Sequence, residues 1–324
     1  MAIRICKTLL ARRTGRDYEQ AVILSVILGS LASLSFALLL WQWIAALRFP
    51  LHRRASDTSF APAVTVFKPL KGSDAEMEQC LRSWFLQNYS GPLQILFGIH
   101  SADDPACATV QKLLAEYPQR DAQLVLTPAD LGANGKVSNL IQLAKFAKHD
   151  VFVVSDGDVR VTPDFLANAV APLKAQNVGL VNCFYRLANP STLAMRWEAV
   201  AINADFWSQV LQSKSLKPLD FALGAAMITR RKNLDEIGGL ESLLDCLADD
   251  YQLGNRIARK GHRIELCPVV VECWDPPQTF NAVWKHQLRW ARTVRVCQPA
   301  PYFFSILSNA TLWSLLWLLS LIHI

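Results

Sequence analysis

Two long stretches of the chain carry no charged position. Gln20 to Leu47 contains no Asp, Glu, Lys or Arg, and Val296 to Ile324 has His323 as its one ionisable side chain. An apolar helix of about 20 residues crosses a bilayer's hydrocarbon core, so residues 20–47 and 302–324 are predicted transmembrane helices. Trp41 and Trp43 near the end of the first run fit an aromatic belt at headgroup level. That run exceeds the roughly 7–15 apolar residues of a signal peptide, and an uncharged helix of this length is rare inside soluble folds. The second run meets the end of the chain with no polar flank, so a truncated span is expected.

Between the two runs, hydrophobic and polar positions alternate in short blocks. Val64–Phe67 is an apolar run stopped by Lys68-Pro69, which predicts a strand. From Glu76 to Gln87, the residues Met77, Cys80, Leu81, Trp84 and Phe85 fall at helical spacing. Leu93–Ile99 predicts a second strand, Pro105–Tyr117 a helix with Pro in its first turn, and Leu124–Leu126 a third strand. Lys136–Lys148 predicts a helix, Val151–Val154 a fourth strand, and Gly179–Cys183 a fifth, with Thr162 capping a helix between these last two. This alternation predicts an α/β fold, with a mostly parallel sheet and helices on both faces. Ligands then bind beyond the carboxyl ends of the strands. The catalytic domain is placed at residues 48–278.

Composition sharpens this picture. The chain has 324 residues, of which 52% are hydrophobic and 19% charged. That excludes a disordered chain. The eight cysteines form no CxxC pair and no framework spacing, which argues against a disulfide scaffold and a structural zinc site. The net charge of +6 suits an anionic membrane leaflet and gives no reason to expect nucleic acid. Residues 1–19 form a basic segment with Arg4, Lys7, Arg12, Arg13 and Arg16, against Arg48, Arg53 and Arg54 after the first span. Taken literally, that count puts the N-terminus in the cytoplasm and exports the domain. Scattered thiols point to a reducing compartment instead. The expectation is a domain facing the cytoplasm, in a bacterial inner membrane rather than the Golgi.

Acidic residues stand at the ends of the predicted strands. Val151–Val154 runs into Ser155-Asp156-Gly157-Asp158, where Gly157 permits a sharp turn. Hard divalent cations take carboxylate and phosphate oxygens, so Asp156 and Asp158 suit a metal–diphosphate site or, more plainly, a polar turn. Leu93–Ile99 leads to Asp103-Asp104-Pro105, where Asp104 suits a helix cap and its neighbour is free to meet a nucleotide. Asp249 and Asp250 open another helix; one suits a cap, and the other a general base. Lys136 follows Asn134-Gly135 at a helix start, a position that favours anions. Residues 279–296 predict an amphipathic interfacial helix, with Lys285, Arg289, Arg292 and Arg295 beside a stripe of Trp284, Leu288, Ala291 and Val294.

Five motifs then occur in a fixed order: Phe67-Lys-Pro-Leu-Lys-Gly72, Asp103-Asp104-Pro105, Ser155-Asp-Gly-Asp-Val-Arg-Val161, Leu247-Ala-Asp-Asp-Tyr251 and His286-Gln-Leu-Arg-Trp290. In this combination the chain resembles the ceramide glucosyltransferase-type enzymes of glycosyltransferase family 21, within the GT-A group, and the related bacterial hopanoid-associated glycosyltransferases. The resemblance implies a GT-A nucleotide-diphospho-sugar transferase fold. It maps the family's first aspartate onto Asp103 or Asp104, the second onto Asp156 and the third onto Asp250. Its closing motif falls on His286, Arg289 and Trp290. His286 stands where Gln or Arg is usual, and Asp158 is an addition.

The implied reaction is inverting transfer of a sugar, expected to be glucose, from a UDP-sugar donor to a lipid acceptor hydroxyl such as that of ceramide. The alternative is a hopanoid-associated or other lipid N-acetylglucosaminyl or glycosyl transfer. By the same implication Asp156 and Asp158 hold a divalent cation (Mg or Mn), and Asp250 takes the acceptor's proton. Arg289 and Trp290 close over the donor, and Asp104 meets its base or ribose. Lys68 and Lys71 approach its phosphates or stand as solvated loop charges. Leu193–Gln212, a long helix, and Phe221–Gly224 are expected on the acceptor side. A haloacid-dehalogenase-type phosphatase also begins with a strand and DxD, but it wants Thr or Val where Arg160 stands. A non-catalytic membrane scaffold has no need of three acidic sites.

Overall fold

The computed structural model describes residues 15–322. Arg4, Cys6, Lys7, Arg12, Arg13 and His323 lie outside the described residues. The described chain divides into two compact units, one of residues 47–293 and one formed by residues 15–46 together with 294–322.

The larger unit is built on an eight-stranded sheet: β1 (Val64–Leu70), β2 (Leu93–Ile99), β3 (Asp121–Leu126), β4 (Val151–Ser155), β5 (Val159–Arg160), β6 (Val178–Leu187), β7 (Ala226–Arg230) and β8 (Arg263–Cys273). Their order is β3-β2-β1-β4-β7-β6-β8-β5. From β3 to β4 every pairing is parallel. β7 then enters antiparallel to both β4 and β6, β8 runs parallel to β6, and β5 antiparallel to β8. The sheet is therefore mixed, with a parallel half and one reversed strand at its centre. β1, β2 and β4 are mostly apolar and almost entirely buried, as helix-covered parallel strands must be, with buried polar exceptions such as Thr65, Lys68 and Gln94. Pro268 lies inside β8 but falls in a break of register, between the pairs Cys183–Cys267 and Tyr185–Val271, where a strand tolerates Pro.

The helix after β5 begins at Phe165, and Thr162 does not cap it; its hydroxyl bonds Asp164 instead. The long helix expected at 193–212 runs from Leu193 to Leu216, with a π-helical stretch at Ala201–Phe206. The amphipathic helix spans Phe280–Cys297.

The smaller unit contains the helix Gly15–Arg48. Its Tyr18–Arg48 portion is long and apolar enough to cross a membrane. Its small and polar positions Ser25, Ala32, Ser35, Gln42 and Ala45 are buried, while Ile23, Leu24, Val26, Ile27, Phe36 and Trp43 face outward. At Gly29 the backbone passes so close to Trp317 that a Cβ would lie 3.0 Å from the indole nitrogen. Small residues at such contacts let membrane helices approach. The second expected span is not one straight helix: Pro299–Ser308 and Ala310–Ile322 meet at a 46° bend beside Asn309.

Candidate active site

The acidic loop after β4 is fastened at both ends. Past Ser155 the chain leaves the sheet through Asp156-Gly157-Asp158 and rejoins it as β5, where Val159 faces Cys273. The Asp156 amide donates to Ala225 O at 3.4 Å, and the Trp274 amide to Asp158 O at 3.0 Å. Gly157 does not adopt a positive φ. It serves by its size, since a Cβ would come within 3.0 Å of Leu70.

Lys68 lies beneath this loop. It is fully buried in β1, and its ammonium donates to Ser155 Oγ at 3.2 Å and to the Asp156 carbonyl. The Trp84 ring lies 4.9 Å away. Burial lowers its pKa to about 8, against the pull of Asp158 and Asp156. The expectation of a phosphate contact or a solvated charge is thus corrected: Lys68 supports the loop from inside. Lys71, three residues on, is exposed.

Lys136 enters from the other side, in the first turn of the helix Gly135–Ala144. Asn134 caps that helix by accepting from the Val137 amide at 3.1 Å, and its own amide group donates to Cys246 O at 2.8 Å. These bonds tie the helix start to the segment before Asp249. Lys136 Nζ then stands 2.6 Å from Asp156 Oδ1 and 3.6 Å from Asp249 Oδ2. Burial would lower its pKa, but Asp156, Asp249 and Asp250 outweigh that and hold it above the usual lysine value.

The acids of the third site divide their roles. The helix Asp249–Arg259 has Ala248 at its N-cap position, and no side chain caps it, contrary to expectation. Asp249 faces Lys136 and the Asn134 side chain. Asp250 accepts from the Tyr251 amide at 2.7 Å and lies against Gly224, where a Cβ would come within 2.8 Å of its Oδ2. Burial, followed by the nearby Asp249, raises the Asp250 carboxyl to about 6 despite Lys136. Burial, then Asp156 and Asp275, raises Asp158 to about 7.

Asp104 is committed to the backbone. Its carboxylate accepts from the Gly72 amide at 3.0 Å and the Ala106 amide at 2.9 Å, locking the loop after β1 to the next helix. The neighbouring Asp103 is exposed and is the acid of the pair that faces solvent most openly.

The closing motif lies on the helix Phe280–Cys297. His286 Nδ1 and Gln287 Nε2 both meet Glu198 Oε1, at 2.7 and 2.9 Å. Glu198 is only 3% exposed. Burial would raise its pKa, and the bonds from His286 and Gln287 more than reverse that. His286 packs edge-on to Trp290, with ring centroids 4.9 Å apart, and Trp290 meets Phe206 and Tyr185. Arg289 is exposed. Burial first, then Cys273 and the carboxylates of Asp250, Asp156 and Asp158, hold the Tyr185 hydroxyl protonated far above the usual tyrosine range.

The structure therefore gathers Lys136, Asp156, Asp158, Asp249 and Asp250, and packs Trp290 against Tyr185, whose hydroxyl feels the charge of Asp250, Asp156 and Asp158. Sequence reasoning missed Tyr185, Glu198 and the Asp249 contact. One signal marks Glu198: it shares a helix face with the apolar Ala194, Met195 and Ile202. Among the described residues no three or more His, Cys, Asp or Glu side chains could hold a metal ion by themselves. Asp156 and Asp158 still fit an ion held mainly by phosphate oxygens, because Mg²⁺ commonly takes one or two carboxylates plus substrate phosphates. The Lys136 ammonium on Asp156 shows this carboxylate already engaged by a cation.

A parallel half-sheet, one reversed central strand and an acidic loop leaving β4 define a GT-A fold. The same fold occurs in a mannosyltransferase, PcManGT, of Pyrobaculum calidifontis, solved in complex with GDP-Man and Mn²⁺; the TM-score is 0.65 at 22% identity, over 93% of this chain and 86% of that one. The sequence model of glycosyl transferase family 21 matches residues 25–324, and the chain belongs to that family. It is 25% identical to ceramide glucosyltransferase 3 of Caenorhabditis elegans over 67% of this chain and 47% of that protein. It is 36% identical to the ceramide glucosyltransferase of Candida albicans over 37% of this chain and 24% of that protein. The chain thus spans under half the length of these curated relatives.

Proposed function

We propose that the chain moves a sugar, glucose by our reading, from a UDP-sugar to the hydroxyl of a membrane lipid such as ceramide, with inversion at the anomeric carbon. One observation carries this reading: Asp250, a carboxyl raised to about 6, stands beside the Lys136–Asp156 pair. A base poised near neutrality next to a cation-holding carboxylate suits attack by an alcohol on a sugar diphosphate. The lipid oxygen bonds to the anomeric carbon, the bond from that carbon to the diphosphate oxygen breaks, and the alcohol proton passes to Asp250. Asp156 and Asp158 would hold a divalent cation, which offsets charge on the departing diphosphate. Lys136, Lys71 and Arg289 supply positive charge for the phosphates, Asp103 receives the nucleoside, and His286 and Trp290 border the donor.

The acceptor assignment rests on family membership and on the outward-facing apolar surface of the helix Gly15–Arg48. That surface anchors the chain in a membrane, and the catalytic unit faces the cytoplasm, where UDP-sugars are found. The test is incubation of membranes carrying the chain with labelled UDP-glucose or UDP-N-acetylglucosamine and a panel of ceramide, hopanoid and diacylglycerol acceptors. Label is expected in lipid and absent with Asp250→Ala. No labelled lipid from any donor, or an unaffected Asp250→Ala variant, overturns the reading. Label from the N-acetylglucosamine donor alone selects the second sugar.

A further inference from the structure

Four carboxylates, those of Asp156, Asp158, Asp249 and Asp250, share one region with two ammonium groups, Lys68 and Lys136. Lys68 is not available to ligand, since it is fully buried and bonded to Ser155 and to the Asp156 carbonyl. Lys136 is different. It retains partial exposure, with 26% of its side-chain surface open, and it bonds the carboxylate of Asp156 rather than the backbone. Its Nζ sits 2.6 Å from Oδ1 and reaches Asp249 at 3.6 Å.

We propose that Lys136 is a resident counter-ion of Asp156 that a divalent cation must displace, and that the donor diphosphate receives the displaced ammonium, so cation and diphosphate bind as coupled ligands. The inference rests on the donor-binding reading above and names the residue that couples its two ligands. An ion bound through the remaining Oδ2 would lie beside the ammonium, and like charges so close repel. With no diphosphate present, a displaced ammonium would lose Asp156 and retain only the longer contact to Asp249. With diphosphate present, phosphate oxygens replace the lost carboxylate, and the same oxygens complete the cation's ligand set. The backbone supports such a swing: Asn134 fixes the start of the helix through its bonds to Val137 and Cys246, so the lysine side chain moves while the helix stays in place.

Linkage makes the proposal quantitative. If UDP tightens cation binding by some factor, the cation tightens UDP binding by the same factor. The experiment follows free Mn²⁺ by electron paramagnetic resonance during titration of the purified full chain in detergent, with and without UDP. In the unsubstituted protein, UDP is expected to tighten Mn²⁺ about 10–100-fold, the range over which neighbouring groups commonly tune metal affinity. Lys136→Gln is expected to bind Mn²⁺ at least about tenfold tighter than the unsubstituted protein without UDP, and to lose most of the UDP effect. Lys136→Arg keeps the charge and should keep weak binding without UDP; it serves as the control if the Gln variant misfolds. Equal Mn²⁺ affinity without UDP in the Gln, Arg and unsubstituted chains overturns the counter-ion role. No Mn²⁺ binding in any of them overturns it too. If UDP fails to bind while Lys136→Gln still tightens Mn²⁺, the counter-ion role stands and the donor reading falls.

Discussion

Asp250 is the residue at which stability and function pull apart. Its carboxyl is raised from 3.8 to about 6, mainly by burial. A folded-state pKa above the unfolded value favours folding fully below pH 3.8, and that gain disappears as pH rises through about 6. At pH 7.5 the ionised group is a net cost. Asp250→Asn keeps an acceptor for the Tyr251 amide and removes the charge, so it should stabilise the fold by up to about 3 kcal/mol at that pH. The gain should shrink towards pH 4 in denaturant titrations. The same variant should lower kcat by about 10²–10⁴-fold if Asp250 is the base. For the unsubstituted chain, kcat/KM should climb with pH and level off above about 6, since only the ionised form accepts a proton. A profile flat from pH 5 to 8 would remove Asp250 from that role. The sequence places an acid pair at 249–250 but not the division within it, because the pairing of Asp249 with Lys136 is made between segments more than a hundred residues apart.

At the scale of elements, the helices Leu193–Val200 and Phe280–Cys297 are joined by one buried carboxylate. Glu198 receives both His286 and Gln287, while Val283 packs with Ala194, Met195 and Ala199. Glu198→Ala leaves two donors without their acceptor and should cost about 1–3 kcal/mol, seen as a lower Tm. Glu198→Gln, which keeps an acceptor oxygen, should cost less. If the two variants lose the same stability, the bonds are not what joins the helices. Period and punctuation make β1, β2 and β4 legible, as well as the helix Phe280–Cys297, because each is long or strongly patterned. They do not reveal β7 or β8. Ala226–Arg230 is only five residues, too short for its period to stand out, and β8 carries Pro268, which reads as a break until the register shift that accommodates it is seen. The buried lysine beneath the acidic loop is illegible for a related reason: Lys68 follows an apolar run, and nothing local says that the strand continues through Pro69 to Leu70.

For the whole molecule the decisive feature is the helix Gly15–Arg48, whose burial is inverted relative to a soluble core helix. Small and polar residues are inside and large apolar ones outside. In water that surface would be a liability, and in lipid it is the stable arrangement. The chain should therefore stay with membranes through carbonate extraction and leave them only with detergent. Gly29→Leu should disturb the packing on Trp317 and lower the yield of folded chain in detergent without releasing it from the membrane. Orientation is a separate matter, since the basic residues flanking this helix argue one way and cytosolic UDP-sugar the other. Lys71 is exposed on the catalytic unit, so a Lys71→Cys variant reports which side that unit occupies. With Cys6, Cys246, Cys273 and Cys297 replaced by serine, a membrane-impermeant maleimide should label it only after cells are permeabilised. Labelling in intact cells would place the catalytic unit outside and remove the supply of UDP-sugar on which the proposed reaction depends.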